Sequence, residues 1–198
     1  VSGVKDGDNL FLLNKYQVIR NIAEALPYVE LEETRVQRKL PDTLLIEIKE
    51  CGDPLAWAQD GAVWLVSPGG KIVEQRNTVG DYPTIDGCRL LAPSGGTLIA
   101  LDTENDTRRQ SLLELLAALE AADKLGEVDA IHIGNAAYLT MDYMGRFSVE
   151  LNYDADFAYK LRTLNAILAS GKIQENMTGT FNMRGEDGKT NFIQNSVK

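Results

Sequence analysis

The sequence is poor in the residues that build most catalytic and metal centres. Its 198 residues include only two cysteines, Cys51 and Cys88, and a single histidine, His132. Two cysteines are too few for a disulfide framework and too far apart for a paired metal motif, so they form either one bridge or, as we expect, two separate thiols. No metal or cofactor is therefore expected.

Positive charge and long apolar runs are also scarce. The 20 basic and 29 acidic residues give a formal net charge of −9, which repels a phosphate backbone and argues against nucleic acid as a partner. The longest apolar stretch, Leu112 to Ala122, is interrupted by Glu114 and Glu120 and is shorter than the roughly 18 residues that cross a bilayer. With 44% apolar and 25% charged residues, the composition is that of a folded globular chain.

The candidate catalytic motifs all favour structural interpretations. His132 lies in a run where apolar residues alternate, and we interpret it as an ordinary strand residue. A serine or cysteine triad would need this single histidine as its base. Ser67 to Lys71 resembles a phosphate loop, but Leu65 replaces its first glycine and Ile72 its metal-binding hydroxyl, so a hairpin turn is predicted. Asp102 to Asp106 lacks the glycine and glutamate of a calcium loop and is predicted to be a solvated helix start. These motifs leave no catalytic constellation visible in the sequence.

The first fifty residues predict a helix packed on a β-hairpin. Apolar residues recur at helical spacing from Asn14 to Ala25, and Pro27 should end that helix. Two extended runs follow, Val29 to Leu40 and Thr43 to Glu50, and the second alternates apolar and polar residues as a half-buried strand does. Between them, Pro41 suits the first central position of a turn.

Beyond Gly52 the sequence changes to short extended pieces between glycine-rich turns, which places a domain boundary near Cys51 to Pro54. The chain ends in a predicted hairpin whose turn is Gly185 to Gly188. The later predicted strands are Ala130 to Gly134, Leu139 to Tyr143, Phe147 to Asn152, Thr178 to Arg184 and Lys189 to Gln194.

Two amphipathic helices are predicted among these strands. The first runs from Arg108 to about Lys124, with Thr107 and Gln110 as a capping box and Gly126 at its C-terminal cap. The second runs from about Asp156 to Ser170. Their apolar stripes are Leu112, Leu115, Leu116 and Leu119 in the first helix, and Phe157, Leu161, Leu164 and Leu168 in the second. The predicted fold class is α+β.

A series of motif residues in the first fifty positions points to a family. After the run Gly7 to Phe11, the series consists of Tyr28, Val29, Val36, Arg38, Pro41, Asp42, Thr43, Leu44, Ile46, Ile48 and Glu50. In this order and spacing, they resemble the POTRA domain of FtsQ/DivIB bacterial cell-division proteins. The resemblance continues over the family's β domain at Gly61 to Glu74, Pro83 to Gly87, Lys160-Leu161 with Leu164, and Gly179 to Gln194.

The resemblance implies a mixed-sheet β domain over residues 54–198, preceded by a POTRA domain over residues 1–51. The POTRA pattern is β-α-α-β-β, and Gly7 to Phe11 normally joins its two helices. Residues 1–51 are therefore expected to lack the first strand and most of the first helix. The resemblance also implies a single-pass membrane protein whose domains lie outside the cytoplasm, with an N-terminal anchor absent from these residues.

The resemblance further implies a binding module and not an enzyme, namely a divisome scaffold that binds FtsL and FtsB/DivIC-type partners without a cofactor. In the family the partner pairs with the final strand, since a terminal edge strand offers free backbone donors and acceptors. Phe192 or Ile193 is expected to be an apolar anchor, or else to close the core. The predicted partner-binding residues are Arg184, which would pair with an acidic residue, Lys189, Thr190, Asn191, Phe192 and Ile193. The alternatives are a POTRA-bearing module of an envelope assembly or secretion system, and a cell-wall enzyme.

Overall fold

The computed structural model describes residues 2–26, 28–29, 34–102, 106–185 and 189–195. The described helices are α1 (Lys15–Ala25), α2 (Thr107–Ala121) and α3 (Phe157–Ala169), with a short 3-10 turn at Leu125–Glu127. The strands are β1 (Arg35–Lys39), β2 (Thr43–Glu47), β3 (Leu55–Gln59), β4 (Ala62–Val66), β5 (Ile72–Arg76), β6 (Thr84–Asp86), β7 (Val128–His132), β8 (Tyr138–Tyr143), β9 (Phe147–Asn152), β10 (Gly179–Asn182) and β11 (Asn191–Gln194). The α+β class is as predicted.

Helix α1 packs on the hairpin of β1 and β2, as the sequence predicts. Asn14 is its N-cap, where the side chain accepts hydrogen bonds from the backbone N–H groups of Tyr16 and Gln17. Pro27, expected to end the helix, and residues 30–33 of the expected first extended run lie outside the described residues. The hairpin is antiparallel and its Leu40–Pro41 peptide bond is cis. A small apolar cluster joins the two layers and is formed by Val18, Ile22, Val29 and Val36.

The remaining strands form one nine-stranded mixed sheet. Its order is β11-β10-β9-β8-β7-β6-β3-β4-β5, in which β9–β10, β7–β6 and β6–β3 are parallel pairs and the others are antiparallel. Helices α2 and α3 cover one face. The predicted apolar stripe of α2 is fully buried against this face. Ile131 of β7, Met141 of β8 and Phe181 of β10 are also fully buried there. In α3, Phe157, Leu161 and Leu164 are buried, and Leu168 is half-buried.

The ends of α2 differ from the prediction. The helix already includes Thr107, so Asp106 is its N-cap, without a side-chain cap bond, and the Gln110 amide donates to Glu114 instead. The predicted capping box is therefore wrong. At the other end, the helix stops at Ala121 and Asp123 takes a left-handed conformation with φ 54°, which leaves Gly126 in the 3-10 turn instead of at a cap.

The loops that resembled ligand sites have ordinary structure where they are described. Ser67 to Lys71 is a tight turn between β4 and β5, in which Gly70 N–H donates to the Ser67 carbonyl at 2.8 Å, as predicted. Residues 103–105 of the calcium-like segment and 186–188 of the last predicted turn lie outside the described residues. Cys51 and Cys88 are separate thiols. Within the described ranges, no helix has the length and apolar character needed to cross a membrane.

The short strand β6 joins two parts of the sheet. It is three residues long and is registered with β3 at one pair only, Ala56 with Thr84. On its other side it pairs with β7 over all three residues. Immediately after β6, Gly87 approaches Gly134 so closely that a Cβ on Gly87 would lie 2.1 Å from the Gly134 nitrogen. The backbone conformation at Gly87, with φ 98°, also favours glycine.

The face of β6 to β11 opposite the two helices carries polar side chains, and we call it the open face. Following the register across the strands, one row on this face is Asp86, His132, Thr140, Glu150, Asn182 and Asn191. A parallel row is Thr84, Ala130, Asp142, Ser148, Thr180 and Ile193. These side chains are half-buried or exposed.

Candidate functional site

The last described strand, β11, lies at one edge of the nine-stranded sheet. It pairs with β10 in antiparallel register, from Gly179 opposite Gln194 to Asn182 opposite Asn191. Within the described residues, no strand covers its other side. The edge was expected from the sequence because the strand is the last one predicted in the chain.

The hydrogen-bond pattern shows which backbone groups of β11 point away from the sheet. Asn195 N–H donates to the Thr178 carbonyl at 2.9 Å, so this pair exchanges hydrogen bonds. Hydrogen-bonded and non-hydrogen-bonded pairs alternate in an antiparallel ladder. The backbone N–H and C=O groups of Asn191 and Ile193 therefore also point toward β10. The alternation is consistent with β10, where Gly179 and Met183 donate toward β9. The N–H and C=O groups of Phe192 and Gln194 therefore point toward the free edge.

The two apolar side chains of β11 have different environments. Phe192 packs against the helix-side core, with its ring centroid 4.7 Å from that of Phe181 and 6.2 Å from that of Phe147. Ile193 lies on the open face opposite Thr180 and is 61% exposed. Phe192 therefore has a structural role within this chain, whereas Ile193 has most of its surface available.

The other predicted partner-binding residues lie around the same end of the sheet. Arg184 follows β10 and stacks over the Tyr138 ring at 4.5 Å, and its Nε is 3.6 Å from Glu150 Oε2. Its side chain remains 41% exposed. Lys189 and Asn191 are exposed and Thr190 is half-buried. Arg184 thus already has an aromatic and an acidic neighbour within the chain.

The POTRA motif residues lie together in the unit of α1, β1 and β2, apart from the β11 edge. Val29 is buried and bridges to Glu50, and Leu44 packs against the same cluster. Arg38 donates to the Leu13 carbonyl at 2.5 Å. The remaining motif positions are more exposed, namely Tyr28 beside the cluster and Pro41 and Asp42 in the hairpin turn. These residues stabilise a fold and bring no reactive groups together.

Hydrogen bonds connect this unit to the large sheet. The Lys71 side chain is 4% exposed, and its ammonium donates to the Val29 carbonyl at 3.0 Å. Nearby, burial and a hydrogen bond to Glu74 raise the pKa of Tyr28. Sequence reasoning missed the Lys71 contact, because its partner is a backbone carbonyl 42 positions away and leaves no local pattern.

Sequence reasoning also missed a cluster around His132. This side chain lies on the open face as its alternation predicts, but it contacts Asp86 on β6 and Asp142 on β8. Among the described residues, no three His, Cys, Asp or Glu side chains form a group suited to hold a metal ion. The cluster consists of three titratable side chains, in which His132 contacts both aspartates.

Comparisons with known proteins show which proteins this chain resembles. Residues 1–50 match the family model of the FtsQ-type POTRA domain. A cell division protein DivIB from Clostridium botulinum (strain Hall) is 32% identical over 85 residues, which are 43% of this chain and 32% of that protein. A cell division protein DivIB from Clostridium tetani is 21% identical over 196 residues, which are 98% of this chain and 72% of that protein.

The chain thus aligns with about a third of the length of the C. botulinum relative and with more of the C. tetani one. The POTRA match over residues 1–50 agrees with the helix and hairpin found there. Residues 1–50 thus correspond to an FtsQ-type POTRA domain, and nearly the whole chain is similar to a cell division protein DivIB.

Proposed function

We propose that this protein is a non-enzymatic scaffold of the divisome that binds FtsL and FtsB/DivIC-type partners outside the cytoplasm. In this proposal a membrane anchor holds a POTRA domain, residues 1–51, and a β domain, residues 54–198. The partner adds an extended segment to β11 and so extends the sheet. The observation that carries the proposal is the free edge of β11, with outward backbone groups at Phe192 and Gln194.

The side chains of β11 suit such an addition. A strand placed beside β11 would cover part of Ile193, which is 61% exposed, without disturbing the aromatic packing of Phe192. Covering about half of a large aliphatic side chain contributes about 1–1.5 kcal/mol, or about tenfold in Kd. Arg184 would pair with an acidic partner residue, and Lys189, Thr190 and Asn191 would line the start of the added strand.

A proline substitution at the edge tests the backbone part of this mechanism. Gln194→Pro removes an N–H that points away from the sheet and leaves the bonds of Ile193 and Asn195 to β10 intact. We expect it to weaken the binding of a DivIC-type peptide at least tenfold, as measured by calorimetry. Gln194→Ala is the matched control, because it removes the same side chain and keeps the N–H, and it should bind nearly as the parent protein does.

A side-chain substitution gives an independent measurement. Ile193→Thr retains a β-branched residue while removing apolar surface, and it should weaken binding by about tenfold. Equal affinities for the parent, Gln194→Pro and Ile193→Thr proteins, all with the parent's circular dichroism spectrum, would rule out β11 as the binding edge. Removal of residues from Lys189 onward in a folded protein should abolish binding altogether.

A further inference from the structure

His132 occupies an unusual electrostatic position on the open face. Its Nδ1 lies 2.9 Å from Asp86 Oδ2 and 3.0 Å from Oδ1, and its Nε2 lies 3.1 Å from Asp142 Oδ2. The three residues belong to three adjacent strands, β6, β7 and β8. Both ring nitrogens therefore face a carboxylate, and each carboxylate lies on a different neighbouring strand.

Only one protonation state of the ring fits this arrangement. A neutral imidazole has one N–H donor, so its second nitrogen would direct a lone pair at a carboxylate that can only accept. An imidazolium has two N–H donors and satisfies both carboxylates. We propose that His132, Asp86 and Asp142 form a proton-dependent clamp that holds β6 against β7 and β8 when His132 is charged and loosens when it is neutral.

The location of this clamp gives it a conformational consequence. Strand β6 is three residues long and is the link between β3 to β5 and β7 to β11 in the sheet order. Its register with β3 is a single residue pair. On the β7 side, Ile133 N–H donates to the Asp86 carbonyl at 2.9 Å, next to the clamp. Loosening the clamp therefore weakens the pairing of β6 with β7, and β6 is the strand that connects the two parts of the sheet.

The two aspartates in contact with His132 favour its imidazolium form, and the more distant charges include both signs. Glu150 lies one strand beyond Thr140 in the row of His132, and Arg184 approaches Glu150 at 3.6 Å. Partial burial lowers the pKa of His132, but the hydrogen bonds to Asp86 and Asp142 outweigh it, and the resulting pKa is raised above its ordinary value of about 6.5. Asp129, on the same strand, accepts a hydrogen bond from Gly145 N–H at 2.5 Å and has its own partner.

Because the pKa of His132 is raised in the folded protein, the stability that the clamp contributes should decrease as the pH rises. A group with a raised folded-state pKa contributes stability that is fully present below its unfolded pKa and is lost as pH rises through its folded pKa. The clamp is therefore closed near pH 6 and opens as the pH rises past the raised pKa of His132. This inference depends on the geometry of the three side chains and is independent of the proposed binding at β11.

Because His132 is the only histidine of the chain, its Hε1 proton gives one assignable histidine NMR signal. We expect its titration midpoint to lie above that of an unfolded peptide, and Asp86→Asn and Asp142→Asn each to lower it. Glu150→Gln is the matched control, since it removes one acidic charge from the same face without contacting the ring. It should change the midpoint less than either aspartate substitution does.

Amide exchange measures the structural consequence. After correction for the intrinsic effect of pH, protection at residues 84–86 should fall roughly two- to tenfold between pH 6 and pH 8.5, as expected for two partly exposed ion pairs. In His132→Gln, protection should stay at the lower level at both pH values. A titration midpoint at or below the ordinary value, or the same pH course of protection in the parent, His132→Gln and Asp142→Asn proteins, would overturn the proposal.

Discussion

Replacing Gly179 by alanine should detach β11 from the sheet while the rest of the protein stays folded. A Cβ at this position would lie 2.3 Å from the Ile193 carbonyl oxygen and 2.8 Å from a ring carbon of Phe192, where ordinary contact begins at 3.4 Å. The backbone of β11 would have to move by about 1 Å, which breaks hydrogen bonds whose length varies by only a few tenths of an ångström. Strand β11 is paired with β10 alone within the described residues, so its separation relieves the clash.

The expected loss of local stability follows from what β11 contributes. Phe192 is half-buried and so contributes about 1 kcal/mol, and each hydrogen bond to β10 contributes about 0.5–1.5 kcal/mol net. Losing part of the Phe192 packing and part of the hydrogen bonding lowers the free energy of opening this strand by about 2 kcal/mol. Amide protection at residues 191–195 should therefore fall by about 30-fold. The thermal midpoint should fall by no more than about 8 °C, the shift expected if the whole loss counted toward global stability.

Hydrogen exchange with mass spectrometry, combined with thermal unfolding, distinguishes this outcome from general destabilisation. Thr180→Ala is the matched control, because Thr180 is adjacent in β10, points to the open face and loses atoms instead of gaining them. Gly179→Ala should also bind a DivIC-type peptide more weakly than Thr180→Ala does. Parent-like protection of residues 191–195 in Gly179→Ala would refute the reasoning, as would a loss of protection spread evenly over the sheet.

Two further substitutions test other parts of the fold. Asn14→Ala removes the acceptor for Tyr16 and Gln17 N–H and should destabilise α1 by about 1 kcal/mol in amide exchange, whereas Asn14→Asp should retain the cap. Gly87→Ala should cost about 3 kcal/mol or more in urea unfolding, because its Cβ meets backbone of Gly134, whereas Gly61→Ala, which has a similar positive φ and open space around it, should cost about 1 kcal/mol. Equal costs for the two glycine substitutions would show that backbone strain, and not the close approach, dominates.

Local patterns in the sequence predict the helices and hairpins well, because burial repeats at short spacing. The stripe of α2 is buried as predicted, and the predicted strands Leu139 to Tyr143 and Phe147 to Asn152 appear as β8 and β9. The ends of α2 were not predicted, because several nearby residues can serve as caps and the packing of the helix decides among them. Asp123 could replace glycine at the C-terminal end since Asp is among the few residues that tolerate a left-handed conformation.

Contacts between distant residues could not be predicted in the same way. His132 is 46 residues from Asp86, and they meet only because β6 inserts between β3 and β7 in the sheet. The order of strands follows from packing of the whole domain and leaves no periodic signal in the sequence. The position of β11 was easier to anticipate, since the last strand of a sheet often lies at its edge, but the direction of its backbone groups required the register with β10.

The parallel pairing of β9 with β10 also determines when the β11 edge can form during synthesis. Strand β10 can reach its place only after the chain has passed through α3, and β11 can pair only once β10 has docked. During synthesis, which proceeds from the N-terminus, the edge strand leaves the ribosome after all the other described strands. A partly synthesised chain therefore offers no β11 edge, and this surface first exists when the rest of the domain is able to fold.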